Sequence, residues 1–154
     1  MHIEQASLGD AEEILAVIRE AFAPVAAQYG DPQLPPVAES IAAHRARYAD
    51  HTVLKAIEGD RIVGSVQGVE RPDGVCAVER LAVLPEWQGR GIGRALTLAI
   101  EESFPHVTAF ELFTGHRSTE TLGLYRSLRY AETRREYVDE RLTLVFLRKE
   151  VSLP

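Results

Sequence analysis

The sequence predicts an α/β protein, a single domain over residues 1–154, and three observations carry that prediction. Strand-like and helix-like hydrophobic periods alternate along the chain in the order β-α-α-β-β-β-α-β-α-β-β. Turn signals at Gly59-Asp60 and Pro72-Asp73-Gly74 separate consecutive strands, the first of them as a hairpin. No internal repeat, low-complexity stretch or linker divides the chain. With 154 residues, 45% hydrophobic and 26% charged, the chain is long enough to bury about two thirds of its unfolded surface.

Taken in order, residues 1–7 alternate weakly and read as a short strand. Asp10 then precedes a helix, with Glu13 three residues on as in a capping box, and Ile14, Leu15, Ile18 and Phe22 on one face. Residues 23–36 hold Pro24, Gly30, Asp31, Pro32, Pro35 and Pro36 and read as a long connection. A second amphipathic helix is expected over 37–50, with Val37, Ile41 and Tyr48 inward. Residues 52–70 form a hairpin, and Gly64 and Gly68 in its second strand allow a bulge or close approach. "VCAVERLAVL" is the next strand. A helix over 92–104 follows, striped by Ile92, Ala95, Leu96, Ala99 and Ile100 and stopped by Pro105. "VTAFELFT" is a strand and "STETLGLYRSL" a helix with Ser118 as its cap. Two strands turning near Asp139 close the chain.

Charge and composition exclude several classes of function. A formal charge of −6 and the lack of a basic run argue against nucleic acid as a partner. No apolar run approaches the ~20 residues of a membrane span, and "MHIEQASLGD" lacks the features of a signal peptide. The lone cysteine, Cys76, suits a reducing compartment and reads as a small buried thiol. A cytoplasmic protein is therefore expected. His44, His51, His106 and His116 show no metal-ligand spacing, so no metal is expected.

The informative stretch is "VLPEWQGRGIGRAL", residues 83–96: a strand, a glycine-rich loop, then a helix. Such a loop is an anion site, because the first N–H groups of a helix have no intrahelical partner and the dipole favours negative charge. A mononucleotide P-loop needs Gly-Lys-Ser/Thr, whereas Gly93 is followed by Arg94-Ala95. The dinucleotide pattern G-x-G-x-x-G starts at Gly89-x-Gly91 but meets Arg94 at its third glycine, although Glu111 stands near where a ribose-binding acid belongs. A loop with flexible glycines and no ligand is the remaining bland reading.

Gln88-x-x-Gly91-x-Gly93, preceded by "ERLAVLPEW", resembles the acetyl-coenzyme A loop of the GNAT superfamily of N-acetyltransferases. Downstream, "LYRSLRY" at 124–130 resembles that family's "LYEKLGF" signature. The resemblance spans residues 52–148, the acetyl-CoA-binding core, and leaves residues 1–50 as variable, acceptor-side helices. Two departures stand out: Arg129 replaces the usual glycine, so the turn must hold φ > 0 without one, and Ser118 replaces a frequent asparagine. The implied fold is a mixed, mostly antiparallel central sheet of about six to seven strands with helices on both faces. The implied activity is transfer of an acetyl group from acetyl-CoA directly to a primary amine, in a ternary complex with a small-molecule or peptide acceptor.

The resemblance also assigns roles. Backbone N–H groups of Gly89, Arg90, Gly91, Ile92, Gly93 and Arg94 would cradle the pyrophosphate, with the side chains of Arg90 and Arg94 adding charge. Gln88 would brace the loop or touch the pantetheine arm, and Ser118 is counted among the cofactor contacts. The main chain of Leu81, Ala82 and Val83 would pair with the pantetheine amides where two central strands splay, one N–H serving as oxyanion donor, a role worth ~2.7–4 kcal/mol elsewhere. Tyr125 is the candidate general acid for the departing thiolate; a phenol near pKa 10 facing a thiolate near 8.5 acts mainly as a hydrogen-bond donor. The sequence itself, not the resemblance, picks out Glu79 as the candidate base, an acid that breaks the apolar pattern of its strand two residues before Leu81, with Glu111 in reserve. By alternation Glu79, Leu81 and Val83 share a face unless a bulge intervenes. Tyr29, Asp31 and Tyr137 are candidate acceptor-site residues, and His116-Arg117 could border the cofactor's mouth. A non-catalytic acyl-CoA sensor and a nicotinamide-dependent oxidoreductase stay open as alternatives, as does a homodimer.

Overall fold

Hairpins set the order of the sheet. In a computed structural model describing residues 1–151, β1 (His2–Gln5), β2 (Thr52–Glu58), β3 (Arg61–Glu70) and β4 (Val75–Val83) pair antiparallel in sequence order. Residues 152–154, the end of the expected domain, lie outside the described residues. β5 (Ala109–Gly115) joins β4 in parallel, and the hairpin of β6 (Ala131–Tyr137) and β7 (Thr143–Glu150) adds antiparallel beyond it. The seven-stranded order is β1-β2-β3-β4-β5-β7-β6. Only the β4–β5 junction is parallel, because the helix α4 (Ile92–Glu102) makes the crossover between them. The mixed, mostly antiparallel sheet is the one expected.

The helices cover opposite faces. α4 packs on the face bearing Gly64 and Gly68, where a Cβ on Gly68 would stand 2.9 Å from Ile100. Close packing of α4 thus explains a glycine inside a central strand. On the other face lie α1 (Ala11–Tyr29), the short α2 (Pro35–Ala38) and α3 (Ile41–Arg47). α5 (Thr119–Ser127) packs beside α4, with Leu124 next to Gly93. The core between these layers includes Ile14, Ile18, Val63, Val66, Leu96 and Ile100.

Three local expectations need correction. Asp10 does not form a capping box with Glu13: it accepts the Ser7 N–H at 2.9 Å and pairs with Lys55 at 2.8 Å, while Glu13 accepts the Ile62 N–H at 2.9 Å. The expected 23–36 connection is mostly helix, for α1 runs through Pro24 to Tyr29 and ends at Gly30, φ 61°. Pro24 forfeits one backbone bond, but burial of Ala26 and Tyr29 beyond it holds the helix together. The expected 37–50 helix is broken at Glu39-Ser40, where the Ser40 hydroxyl oxygen caps α3 by accepting the Ala43 N–H at 3.1 Å. Its inward residue is His44, fully buried, while Val37, Ile41 and Tyr48 are half-buried.

Candidate active site

Two breaks in the sheet create the site. β4 pairs with β5 only from Val75↔Ala109 to Ala77↔Glu111, after which the strands part. Just beyond, the β3–β4 register slips between Ser65↔Ala82 and Gln67↔Glu79, so β4 carries one extra residue. Arg80 is that bulge, with φ 55°. The bulge overturns simple alternation: Glu79 meets Arg47 of α3 and Arg80 meets Glu39 just after α2, whereas Leu81 and Val83 face Gly93 on α4. The splay leaves β4 from Glu79 to Val83 without a strand partner on its β5 side.

The glycine loop stands at the mouth of this split. Pro85–Trp87 form a 3₁₀ turn, and Gln88 donates its side-chain amide to the Val83 carbonyl at 2.9 Å, bracing the loop on β4. Gly91 is the N-cap of α4 at φ 83°. A Cβ at Gly89 or Gly91 would meet nothing within 4 Å, so both face open space. The first bond of α4 is Ala95 N–H to Gly91 C=O at 3.0 Å, which leaves the N–H groups of Ile92, Gly93 and Arg94 ahead of it as donors. Arg90 stacks on Trp87 at 4.5 Å and bonds the Glu86 carbonyl; Arg94 is exposed at the rim.

A cleft of about 700 Å³ joins these parts, bordered by β4 from Val78 to Val83, the glycine loop, Ser118, Tyr125 and the apolar Phe22, Val25 and Pro36. Glu79 and Tyr125 thus open on the same cleft. Burial pushes the Tyr125 phenol well above its ordinary range, so the hydroxyl keeps its proton. The neighbouring Tyr130 donates to Glu101 at 2.8 Å and does not border the cleft. Cys76 is fully buried and its thiol is pushed up to about 12 by desolvation, which makes it a packing residue.

Glu79 anchors a charged cluster that the sequence does not announce. Its carboxylate lies 3.4 Å from Arg47 Nη1 and 3.3 Å from His51 Nε2. Arg80 pairs with Glu39 at 3.2 Å, and Arg47 reaches Glu39 at 3.0 Å and the buried Gln67 at 3.3 Å. Burial pushes the Glu39 carboxyl up, but the two arginines outweigh it and hold it below its usual 4.5. No sequence signal marks Arg47, His51 or Glu39 as neighbours of Glu79.

Other candidates fall elsewhere. Glu111 does not border the main cleft: it pairs with Arg71 at 2.8 Å and lines a smaller cavity of about 230 Å³ that Glu79 also borders. Tyr29 is buried, bonded to Ser118 Oγ at 3.0 Å and to the Arg117 N–H at 2.9 Å. Asp31 caps the Gln33 N–H, and Tyr137 is exposed; none of Tyr29, Asp31 and Tyr137 borders the cleft. Ser118 stands at the N-cap of α5 without a side-chain cap bond. Arg117 borders the cleft, while His116 bonds Thr143. Arg129 has φ 75°, as its place in the family-like turn requires. Among the described residues there is no group of three potential metal ligands, and no helix is long and apolar enough to cross a membrane.

Solved structures share this architecture. A ribosomal-protein-alanine N-acetyltransferase from Brucella melitensis superposes with TM-score 0.79 at 20% identity, over 98% of this chain and 100% of that one. The putative acetyltransferase yncA from Salmonella typhimurium, solved with acetyl-CoA, gives 0.79 at 20% identity over 100% and 95%. PaiA N-acetyltransferase from Thermoplasma acidophilum, solved with coenzyme A, gives 0.77 at 18% identity over 98% and 100%. No curated protein sequence matches significantly. Residues 14–130, which carry the bulged strand, the glycine loop and Tyr125, match the Acetyltransferase (GNAT) family, and the chain belongs to it.

Proposed function

We propose that this protein is an N-acetyltransferase that moves the acetyl group of acetyl-CoA directly to a primary amine, using the whole chain as one catalytic domain. The observation that carries the reading is the junction of the β4–β5 split with the donor-rich start of α4, over one cleft that also holds Glu79 and Tyr125. The residues fit the donor: unpaired strand groups suit amides of an extended arm, and helix N–H groups beside open glycines suit a pyrophosphate. Bound there, acetyl-CoA supplies an acyl group already activated as a thioester.

The chain's own residues then have four tasks. Leu81, Ala82 and Val83 hold the donor as an added strand, and an N–H from this segment meets negative charge developing on the acyl oxygen. Gly89 through Arg94, with Ser118 across the cleft, hold the phosphate-bearing end. Glu79 takes the proton that the ammonium form of the acceptor must lose before its nitrogen can attack. Tyr125, held protonated by burial, donates a hydrogen bond to the departing sulfur. The acceptor enters past Phe22, Val25 and Pro36, apolar residues that border the same cleft as Glu79.

The test is thiol release from acetyl-CoA over a panel of amines: peptide N-termini, lysine, aminoglycosides, polyamines and amino acids. On the best amine, Tyr125→Phe should lower kcat roughly 10- to 100-fold and Glu79→Gln by about 10²-fold or more, with the KM for acetyl-CoA little changed. Full turnover by Tyr125→Phe would remove the acid from the scheme. Tight CoA binding without turnover of any amine would make the protein an acyl-CoA sensor instead.

A further inference from the structure

Glu79 is the inner end of a chain of three titratable groups that runs out of the protein. His51 Nε2 lies 3.3 Å from Glu79 Oε1, and His51 Nδ1 lies 2.6 Å from Asp50 Oδ1. Side-chain exposure is 26% at Glu79, 13% at His51 and 71% at Asp50, so a shielded imidazole bridges a cleft carboxylate and an external one. Asp50 and His51 occupy the turn between α3 and β2, outside the cleft lining.

Resting on the reading of Glu79 as the base, we infer that His51 and Asp50 are positioning residues that act through Glu79, fixing its carboxylate and carrying its proton to solvent. A base buried under two substrates must discharge its proton before the next turnover, and its cleft side is where those substrates sit. The opposite side offers the way out. Arg47 occupies Oε2 at 3.4 Å, which leaves Oε1 for His51. The other charged groups of the cluster, Glu39 and Arg80, pair with each other beyond Arg47, and Arg71 and Glu111, which border a small cavity with Glu79, are paired at 2.8 Å. No other titratable side chain bonds to His51 among the described residues.

The proton balance closes without a co-reactant. The acceptor's ammonium N–H bond breaks and an O–H bond forms on Glu79. That Oε1–H donates to His51 Nε2 while Nδ1–H donates to Asp50. Transfer to Nε2 restores the Glu79 carboxylate and leaves an imidazolium between two carboxylates. The Nδ1 proton departs through Asp50 to water, and exchange with water returns the ring to its first tautomer. One proton has moved from ammonium to solvent.

The experiment compares wild type, His51→Gln, His51→Ala, Asp50→Asn and Glu79→Gln with acetyl-CoA and the best amine of the panel, melting temperatures serving to confirm folding. His51→Gln should lose roughly 10- to 100-fold in kcat/KM for the amine with KM for acetyl-CoA unchanged, and its pH–rate profile should change shape. Millimolar imidazole should restore part of the rate to His51→Ala. Without substrates, the ¹⁵N ring signals of His51 should move in both Asp50→Asn and Glu79→Gln. If Glu79→Gln is impaired while His51→Gln keeps the wild-type rate and profile, the relay is wrong and the base stands. A His51→Gln loss with no change of profile and no imidazole rescue also overturns it, as a purely structural role. If Glu79→Gln itself keeps the wild-type rate, the base assignment falls and the relay with it.

Discussion

His44 shows how one residue's burial becomes a property of the whole protein. Its ring is fully enclosed, with Nε2 2.9 Å from the Tyr48 hydroxyl and Nδ1 without a hydrogen-bond partner. Desolvation lowers its pKa from the usual 6.5, against the attraction of Glu39 and with the help of Arg47. The folded ring therefore resists a proton that the unfolded chain accepts. Between the lowered value and 6.5 the unfolded state binds more protons, so stability falls as pH drops through that window, at up to ~1.4 kcal/mol per pH unit. Urea unfolding at pH 7.5, 6.5 and 5.5 should show this loss in wild type and a shallower one in His44→Gln. Equal slopes would mean that His44 binds its proton as readily in the folded as in the unfolded chain. Below about 4.5 both proteins should weaken together, because the Glu39 and Asp10 carboxyls, held down by their cationic partners, then begin to be protonated in the unfolded chain.

At the scale of elements, α1 is docked to β5 by a small-to-large contact. A Cβ on Gly115 would run into the ring and hydroxyl of Tyr29, which in turn hold Ser118 and the Arg117 N–H. Gly115→Ala should cost roughly 1–3 kcal/mol of overpacking, and the same substitution in a Tyr29→Ala background should cost far less, a coupling that a double-mutant cycle measures. Additive losses would show that the cost of the methyl does not come from Tyr29. This contact also explains what the sequence could reveal of the elements and what it could not. The glycine loop was legible because Gln88, Gly91 and Gly93 lie within six positions and express their geometry locally. The continuation of α1 past Pro24 was not, since the burial of Tyr29 that holds it depends on residues 88 and 89 positions away. The His51–Glu79 and Arg80–Glu39 pairs, 28 and 41 positions apart, are equally invisible to local pattern. Alternation failed at Glu79 because a bulge at Arg80 obeys the sheet, not the period.

For the molecule as a whole, the β4–β5 split is a missing piece of sheet. Elsewhere the pairing is long, as in the seven-pair ladder of β5 and β7, but β4 and β5 share only three pairs. A ligand that pairs with Leu81–Val83 and caps α4 completes both at once, so its binding energy appears as global stability. At 100 times its Kd such a ligand adds about 2.7 kcal/mol, which for a chain of this size raises Tm by roughly 5–11 °C. CoA and acetyl-CoA should give that shift and NADH none. Amide exchange should slow at Leu81, Ala82 and Val83 and at Ile92, Gly93 and Arg94, with little change in β6 at the far edge. The two sets of amides belong to different elements, β4 and α4. Protection of one set without the other would mean that the strand groups and the helix start do not serve a single ligand, and protection by NADH alone would turn the loop into a dinucleotide site despite Arg94.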